Sequence, residues 1–444
     1  MPHCLVYLFV LQLIMTGFIV RVNMKIINKG ILSNLSAYFI SSIVVSLISL
    51  MINPLLAMKL TSMDYAILGY YSSFVLLMTP IVSLSLQSYY ARMYFRLEEL
   101  ERKEVYDTLM TLFSTIGLIL FGLFFIIFYV YHRLCVESIP FSPYAILMFI
   151  PVYLSSFYNL FLVDLRMRGE GKKYALVSIC NSIISAIFSI LLVYVFNTGA
   201  IGRVWAVLIA SIIFFAYSII IKKVNLNWNV AIIKDSLLFC WPLIVTGILS
   251  YFFLGVDRPL LEKLNDTTSL GLYNIGLQIS GYLGIFGTVL LQTFDPDLYK
   301  FTASKDHKKV IIICLVVLIT VSLPNIVFIF CSDIIIYLLT AGRYVDSVPF
   351  ANIMCLKNIT ATFAFMMSGV LIGYGFSKYE LLNRFIGAGI SILLYYIFIS
   401  NFGFLGAAWG QCLSWLLMGL ITIISLLILF KKNGTTIEHN STGL

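Results

Sequence analysis

Twelve long apolar runs dominate this chain, at 31–56, 66–90, 108–131, 143–164, 175–196, 203–221, 237–256, 270–293, 310–331, 348–372, 385–400 and 407–430. About 20 apolar residues is the length an α-helix needs to cross the roughly 30 Å hydrocarbon core of a bilayer. Within that core no water is at hand to bond a backbone N–H or C=O, so each run is expected to be a helix, whose hydrogen bonds are internal. Only 11% of the residues are charged and 61% are hydrophobic, against roughly 25% charged in a soluble domain. The expected fold is therefore an all-α integral membrane protein of about twelve helices.

The net charge of +9 would suit nucleic acid, but its placement does not. The cations cluster in the short breaks between apolar runs instead of forming one face. Twenty-two of the 29 fall in alternate breaks, as in Arg92, Arg96, Arg102 and Lys103, or Arg166, Arg168, Lys172 and Lys173. Six, Lys59, Arg133, Arg203, Arg258, Lys263 and Arg343, fall in the others, and Lys357 lies inside a run. Positive charge gathers on the cytoplasmic side of spanning helices. The first set, and both ends of the twelve-helix unit, are thus expected in the cytoplasm of a bacterial inner membrane protein. A thirteenth apolar run at 4–20 has no Lys or Arg before it and no small-residue cleavage motif after it, so it makes a poor signal peptide. Met24 is a plausible start, and 1–23 an extra, dispensable segment.

The halves of the chain echo each other. Pro54-Leu55-Leu56 recurs as Pro259-Leu260-Leu261, and Lys173-Tyr174 as Lys378-Tyr379. With one residue of slip, Asn197-x-Gly199-x-x-Gly202-x-x-Trp205 recurs as Asn401-x-Gly403-x-x-Gly406-x-x-Trp409. Six helices return the chain to its starting side, so the two halves insert with one orientation. The expected organisation is a first lobe at 24–221, a cytoplasmic linker at 222–236, a second lobe at 237–430 and a cytoplasmic tail at 431–444. Two such lobes around a central cavity suit alternating access.

No phosphate-binding loop, zinc-hydrolase motif or nucleophile elbow is present. No catalytic residue, cofactor or metal is expected. Cys180, Cys240, Cys314, Cys355 and Cys412 lie in apolar runs and read as small packing residues. The four histidines, His3, His132, His307 and His439, fall outside every expected span, which argues against a buried histidine proton relay.

Pro54-Leu55-Leu56 with Asp64-Tyr65 and Leu68-Gly69-Tyr70-Tyr71 resembles the opening of the polysaccharide flippases. Asp257-Arg258-Pro259 with Leu270-Gly271-Leu272-Tyr273, the Leu338–Tyr344 loop and the Asn401-x-Gly403-x-x-Gly406-Ala407-Ala408 turn resemble later parts of the same family. The resemblance runs from about Met24 to Phe430 and is to the O-antigen and related flippases. Their superfamily also holds multidrug exporters and the lipid II flippase. It implies a cargo, an undecaprenyl-diphosphate-linked oligosaccharide moved from the cytoplasmic to the periplasmic leaflet. It also implies membrane lipid and polysaccharide assembly proteins as partners, and no nucleic acid. An O-antigen polymerase or ligase, or a multidrug exporter, are the alternatives. The first would want a large outward catalytic loop, and the longest outward break here is about 332–347. The second would want an acidic residue deep in a lobe, and none is securely placed.

The first run carries Asn34, Tyr38, Ser42, Ser46, Ser49 and Asn53 at steps of three or four, one helical face. Such a stripe suits sugar hydroxyls, or else hydroxyls bonded to their own helix. Thr246, Ser250 and Asp257 share a face in the seventh run, and Asp257 and Arg258 close it, as a substrate contact or an interfacial ion pair. Lys357 is the most informative single residue. A lysine near the bilayer centre costs at least about 2.5 kcal/mol facing lipid, so it is expected to face inward, toward the diphosphate that the resemblance implies, or to snorkel to the interface. Arg92 and Arg96 either guide that diphosphate at the cytoplasmic entrance or anchor the span. Asp164, near Arg166 and Arg168, reads as an interfacial ion pair.

Overall fold

A computed structural model describes the backbone of 29–441, and the side chains of Tyr38 and of 40–431. The segment 1–23, the Met24 start and the Asn34 side chain lie outside the described residues. Among the described residues all regular structure is helical: α1 (Lys29–Ala57), α2 (Ser62–Ser83), α3 (Leu86–Met93), α4 (Glu99–Leu112), α5 (Leu118–Cys135), α6 (Tyr144–Met167), α7 (Gly171–Ser189), α8 (Gly199–Lys222), α9 (Val230–Leu254), α10 (Asp257–Glu262), α11 (Thr267–Ala303), α12 (His307–Leu339), α13 (Val348–Gly373) and α14 (Ser377–Ser441). A π-turn at Phe113–Gly117 joins α4 to α5, and another at Ile190–Val195 extends α7.

Eleven helical stretches among the described residues are long and apolar enough to cross a membrane. The last, Ser377–Lys431, has 55 residues, or roughly 80 Å at 1.5 Å per residue, more than two bilayer cores. It breaks at Gly403, whose φ of 56° and ψ of −130° are non-helical. The stretch is thus long enough for two passes, which makes twelve among the described residues. Gly199, the matching glycine of the repeated Asn-x-Gly motif, also has a positive φ, 62°. Both turns use the backbone region that glycine enters without a Cβ penalty.

Two helix starts show why the chain breaks where it does. Thr61 and Asp64 cap α2 reciprocally: the Asp64 N–H donates to Thr61 Oγ1 at 3.2 Å and the Thr61 N–H to Asp64 Oδ2 at 2.7 Å. Asp64 Oδ1 also accepts from the Ala200 N–H at 2.9 Å, which pins the start of α8 beside the start of α2. At α4 the Glu98 N–H donates to Glu101 Oε2 at 3.0 Å. These bonds occupy N–H groups that a helix cannot satisfy itself.

The chain packs as two compact units. The first holds Met1–Tyr251, Arg258–Asn274 and Ile335–Val345; the second holds Phe252–Asp257, Ile275–Ile334 and Asp346–Leu444. In the first, α6 packs on α8, α7 on α1 and α8, and α2 on α6. One of its cores gathers Tyr89, Tyr90, Tyr106, Phe113 and Phe157. Glycine lets α2 and the start of α11 approach closely. A Cβ on Gly69 would stand 1.9 Å from Asn274, and one on Gly271 would stand 2.1 Å from the Ser62 carbonyl oxygen. In the second unit α13 packs along α14, around Leu298, Val317, Met366 and Leu371. Gly276, Gly284 and Gly287 of α11 also meet close neighbours, whereas Gly281 faces open space. Close packing thus accounts for four of the five glycines at the start and middle of that helix. Of the five cysteines read as packing residues, Cys240, Cys314, Cys355 and Cys412 are buried and Cys180 is half-buried, none of them in a disulfide.

Candidate functional site

Lys357 stands nine residues into α13, about 14 Å along the axis, and is buried at 9% exposure. Its own turn of helix is tied on three sides. The Asn358 Nδ2 donates to the Ser280 carbonyl of α11 at 2.8 Å and to Asn325 Oδ1 of α12 at 3.3 Å. The Thr360 hydroxyl reaches the Cys412 carbonyl of α14 at 3.1 Å and lies 3.0 Å from the Lys357 carbonyl. Asn325 in turn donates to the Val321 carbonyl at 2.9 Å. Polar side chains inside a span bond across helices because hydrocarbon offers nothing else. This network fixes the rotation of α13 and with it the direction of the Lys357 stem, and the ammonium lies within electrostatic range of Cys412.

Arg258 falls in the second half of the chain but packs with the first unit. It is buried, and its Nε donates to Asn274 Oδ1 at 3.2 Å. Asn274 donates to the Leu270 carbonyl at 2.9 Å and rests on Gly69. Asp257 is fully buried and belongs to the second unit. Four residues on from Arg258, the buried Glu262 does a job that its sequence position did not announce. Its Oε1 accepts from the Glu137 N–H at 3.1 Å, the Ser138 N–H at 3.0 Å and the Ser138 hydroxyl at 2.8 Å. One carboxylate oxygen thereby holds the loop after α5. Just beyond, Asp266 caps α11, and its carboxyl is held below the usual range by hydrogen bonds from Ser269, side chain first and backbone next.

Four hydroxyls of these stripes, on Ser42, Ser46, Thr246 and Ser250, bond their own helices. Ser42 donates to the Tyr38 carbonyl at 3.1 Å and Ser46 to the Ser42 carbonyl at 2.8 Å. Thr246 donates to the Pro242 carbonyl at 2.8 Å and Ser250 to the Thr246 carbonyl at 2.9 Å. With its proton so used, each hydroxyl has acceptor lone pairs left to offer. The Tyr38 hydroxyl donates to the Arg166 carbonyl at 3.3 Å, and its ring meets Tyr174 edge-on. Asn53 is buried and donates to the Leu339 carbonyl at 3.0 Å. Arg92 and Arg96 are exposed, and the Arg92 guanidinium lies 4.5 Å from the centre of the Phe239 ring.

Asp164 proves to be more than an interfacial pair. It is fully buried and collects Tyr90, Arg168 and Lys222 around one carboxylate, with Arg168 Nε at 2.8 Å. The Lys222 ammonium also sits over the Tyr106 and Phe161 rings. His132 requires a correction. Expected outside the spans, it is buried in the last turn of α5 against Phe128 and Phe141. The apolar run ended at residue 131 by hydropathy, but the helix continues to Cys135.

A family model described as polysaccharide biosynthesis protein matches residues 31–296. The chain belongs to that family. Among solved structures, this family member resembles a multidrug resistance transporter of the MOP superfamily in an inward-facing conformation. The TM-score is 0.69 at 14% identity, over 88% of this chain and 96% of the other. It also resembles the lipid II flippase MurJ in an inward closed conformation, with a TM-score of 0.65 at 17% identity over 88% and 87%. A MOP superfamily transporter from Pyrococcus furiosus gives 0.59 at 12% identity over 89% and 97%. A search of the curated proteins found no match. At such identities the shared feature is the fold: this chain has the helical architecture of those transporters.

Proposed function

We propose that this chain is a flippase of the bacterial inner membrane. It carries an undecaprenyl-diphosphate-linked oligosaccharide, such as an O-antigen repeat unit, from the cytoplasmic to the periplasmic leaflet by alternating access. The family match over 31–296 carries the reading, because it supplies the polysaccharide, and the fold shared with transporters and a lipid flippase supports it.

In this mechanism Lys357 and Arg258 neutralise the diphosphate as it leaves water. A dianionic head group entering a low-dielectric path loses hydration, and fixed cations offset that loss. Asp257 accepts from sugar hydroxyls near Arg258. Asn34, Tyr38, Ser42, Ser46, Thr246 and Ser250 meet the glycan along its path, the serines and Thr246 through the lone pairs their backbone bonds leave unused. Arg92 and Arg96 gather the diphosphate at the cytoplasmic entrance. The lobes are 24–221 and 237–430, and the polymer assembly proteins of the periplasm receive the product.

The test is complementation. A host deleted for its own flippase is given the parent chain or Lys357→Ala at matched membrane levels, and surface polysaccharide is measured. Restoration by the parent with loss in Lys357→Ala is expected. Failure of the parent to restore any polymer in its own host refutes the assignment.

A further inference from the structure

The strap between α8 and α9 has an inverted pattern. Its residues Asn225-Leu226-Asn227-Trp228-Asn229-Val230 alternate polar and apolar. A strap lying in water would turn its apolar positions in. Here each odd position meets the α4 helix or its surroundings. The Asn225 backbone N–H faces the Asp107 carboxylate. The Asn227 N–H donates to Thr111 Oγ1 at 3.1 Å, and the Asn229 Nδ2 to Glu104 Oε1 at 2.8 Å. Asn229 Oδ1 meanwhile caps α9, accepting from the Ala231 N–H at 3.0 Å. The even positions stand out: Leu226 is 83% exposed, Trp228 53% and Val230 67%. Lys223 and Lys234 flank them, also exposed.

We propose that this strap is an interfacial anchor, with Leu226, Trp228 and Val230 seated in the headgroup layer of the bilayer and Lys223 and Lys234 against anionic lipid. Three observations select that occupant. Both neighbours of the strap, α8 and α9, are membrane-spanning helices that end there, so its outer edge stands at the membrane surface. Tryptophan prefers the water–lipid interface, where its ring is apolar and its N–H meets polar groups. Lysines beside that edge complement anionic headgroups. The three bonds to α4 and α9 keep the strap rigid, so its apolar edge is presented and not folded under. The anchor then fixes the height of α4, α8 and α9 relative to one membrane surface.

The test uses the full chain in vesicles of anionic and zwitterionic lipid, with the parent compared to Trp228→Phe. The difference in emission reports Trp228 alone, and the exposed position lets phenylalanine replace it without repacking. Lipid brominated near the headgroup is expected to quench that difference signal about two-fold, while aqueous iodide leaves it nearly unchanged. In the double variant Lys223→Gln with Lys234→Gln, the bromolipid quenching is expected to weaken. Iodide quenching without bromolipid quenching would overturn the proposal, because Trp228 would then stand in water. Protection from both quenchers would overturn it equally, because protein would then cover the strap. Unchanged bromolipid quenching in the lysine variant would overturn the role of anionic lipid.

Discussion

The Tyr90 hydroxyl donates to the Asp164 carboxylate at 2.6 Å, across 74 residues of sequence. The same carboxylate binds Lys222 and Arg168, so it ties α3, α6 and α8 at a buried point. Breaking such a pair from one side leaves a charge with no partner, which costs about 3–5 kcal/mol. Asp164→Ala is therefore expected to lower the thermal unfolding temperature sharply in detergent. Replacing both partners, Asp164→Leu with Lys222→Met, should recover most of that loss. Tyr90→Phe, which removes one charge-assisted bond, should cost about 2 kcal/mol. A double variant no more stable than Asp164→Ala would show that the pair is not what holds these helices.

Glycine contacts give a second expectation. Gly271→Ala places a methyl 2.1 Å from the Ser62 carbonyl oxygen, a backbone atom, and should abolish folded protein on size-exclusion chromatography. Gly281→Ala meets nothing within 4 Å, and should be neutral or stabilising by about 0.5–1 kcal/mol through lower unfolded-chain entropy. Equal yields from the two variants would contradict the close packing of α2 on α11.

Glu262 offers a third. Its one oxygen accepts three hydrogen bonds from residues 137 and 138. Glu262→Ala should release that loop, seen as faster amide exchange across 136–139, and lower stability by about 2–4 kcal/mol, the scale of lost bonds to a charged group. Unchanged exchange there would mean that the loop is held by other contacts.

Much of this was legible in the sequence and some was not, for physical reasons. Spanning helices announce themselves because hydrocarbon must be met residue by residue, so local composition carries the signal. The paired turns at Gly199 and Gly403 were marked by the repeated Asn-x-Gly motif. The four-residue spacing of Ser42 and Ser46 was open to two readings, and the geometry shows hydroxyls bonded one turn back. Asp164, Glu262 and His132 were misjudged or passed over because their partners come from distant segments. No local pattern links Asp164 to Lys222 or Glu262 to Ser138. The Asn325–Asn358 tie beside Lys357 did have a signal, since amides inside apolar spans seldom go unbonded.

Orientation gives a fourth expectation, which follows from the charge asymmetry. Reporters active only outside the cytoplasm, fused after Lys172, Lys223 or Lys305, should be silent. Fusions after Lys263 or Arg343 should be active. Activity at Lys172 or Lys305 would invert or break the proposed topology.

The central claim is that this chain moves a lipid-linked oligosaccharide across a bilayer. Purified protein in vesicles loaded with undecaprenyl-diphosphate-linked oligosaccharide tests it most directly, with an impermeant oxidant of sugars reporting how much glycan has reached the opposite leaflet. The account predicts transfer by the parent well above protein-free vesicles. It predicts a drop of about ten-fold or more in Lys357→Ala, equivalent to about 1.4 kcal/mol of lost charge stabilisation along the path, and partial transfer in Lys357→Arg. Parent vesicles indistinguishable from protein-free ones, with the protein folded and inserted, would contradict it.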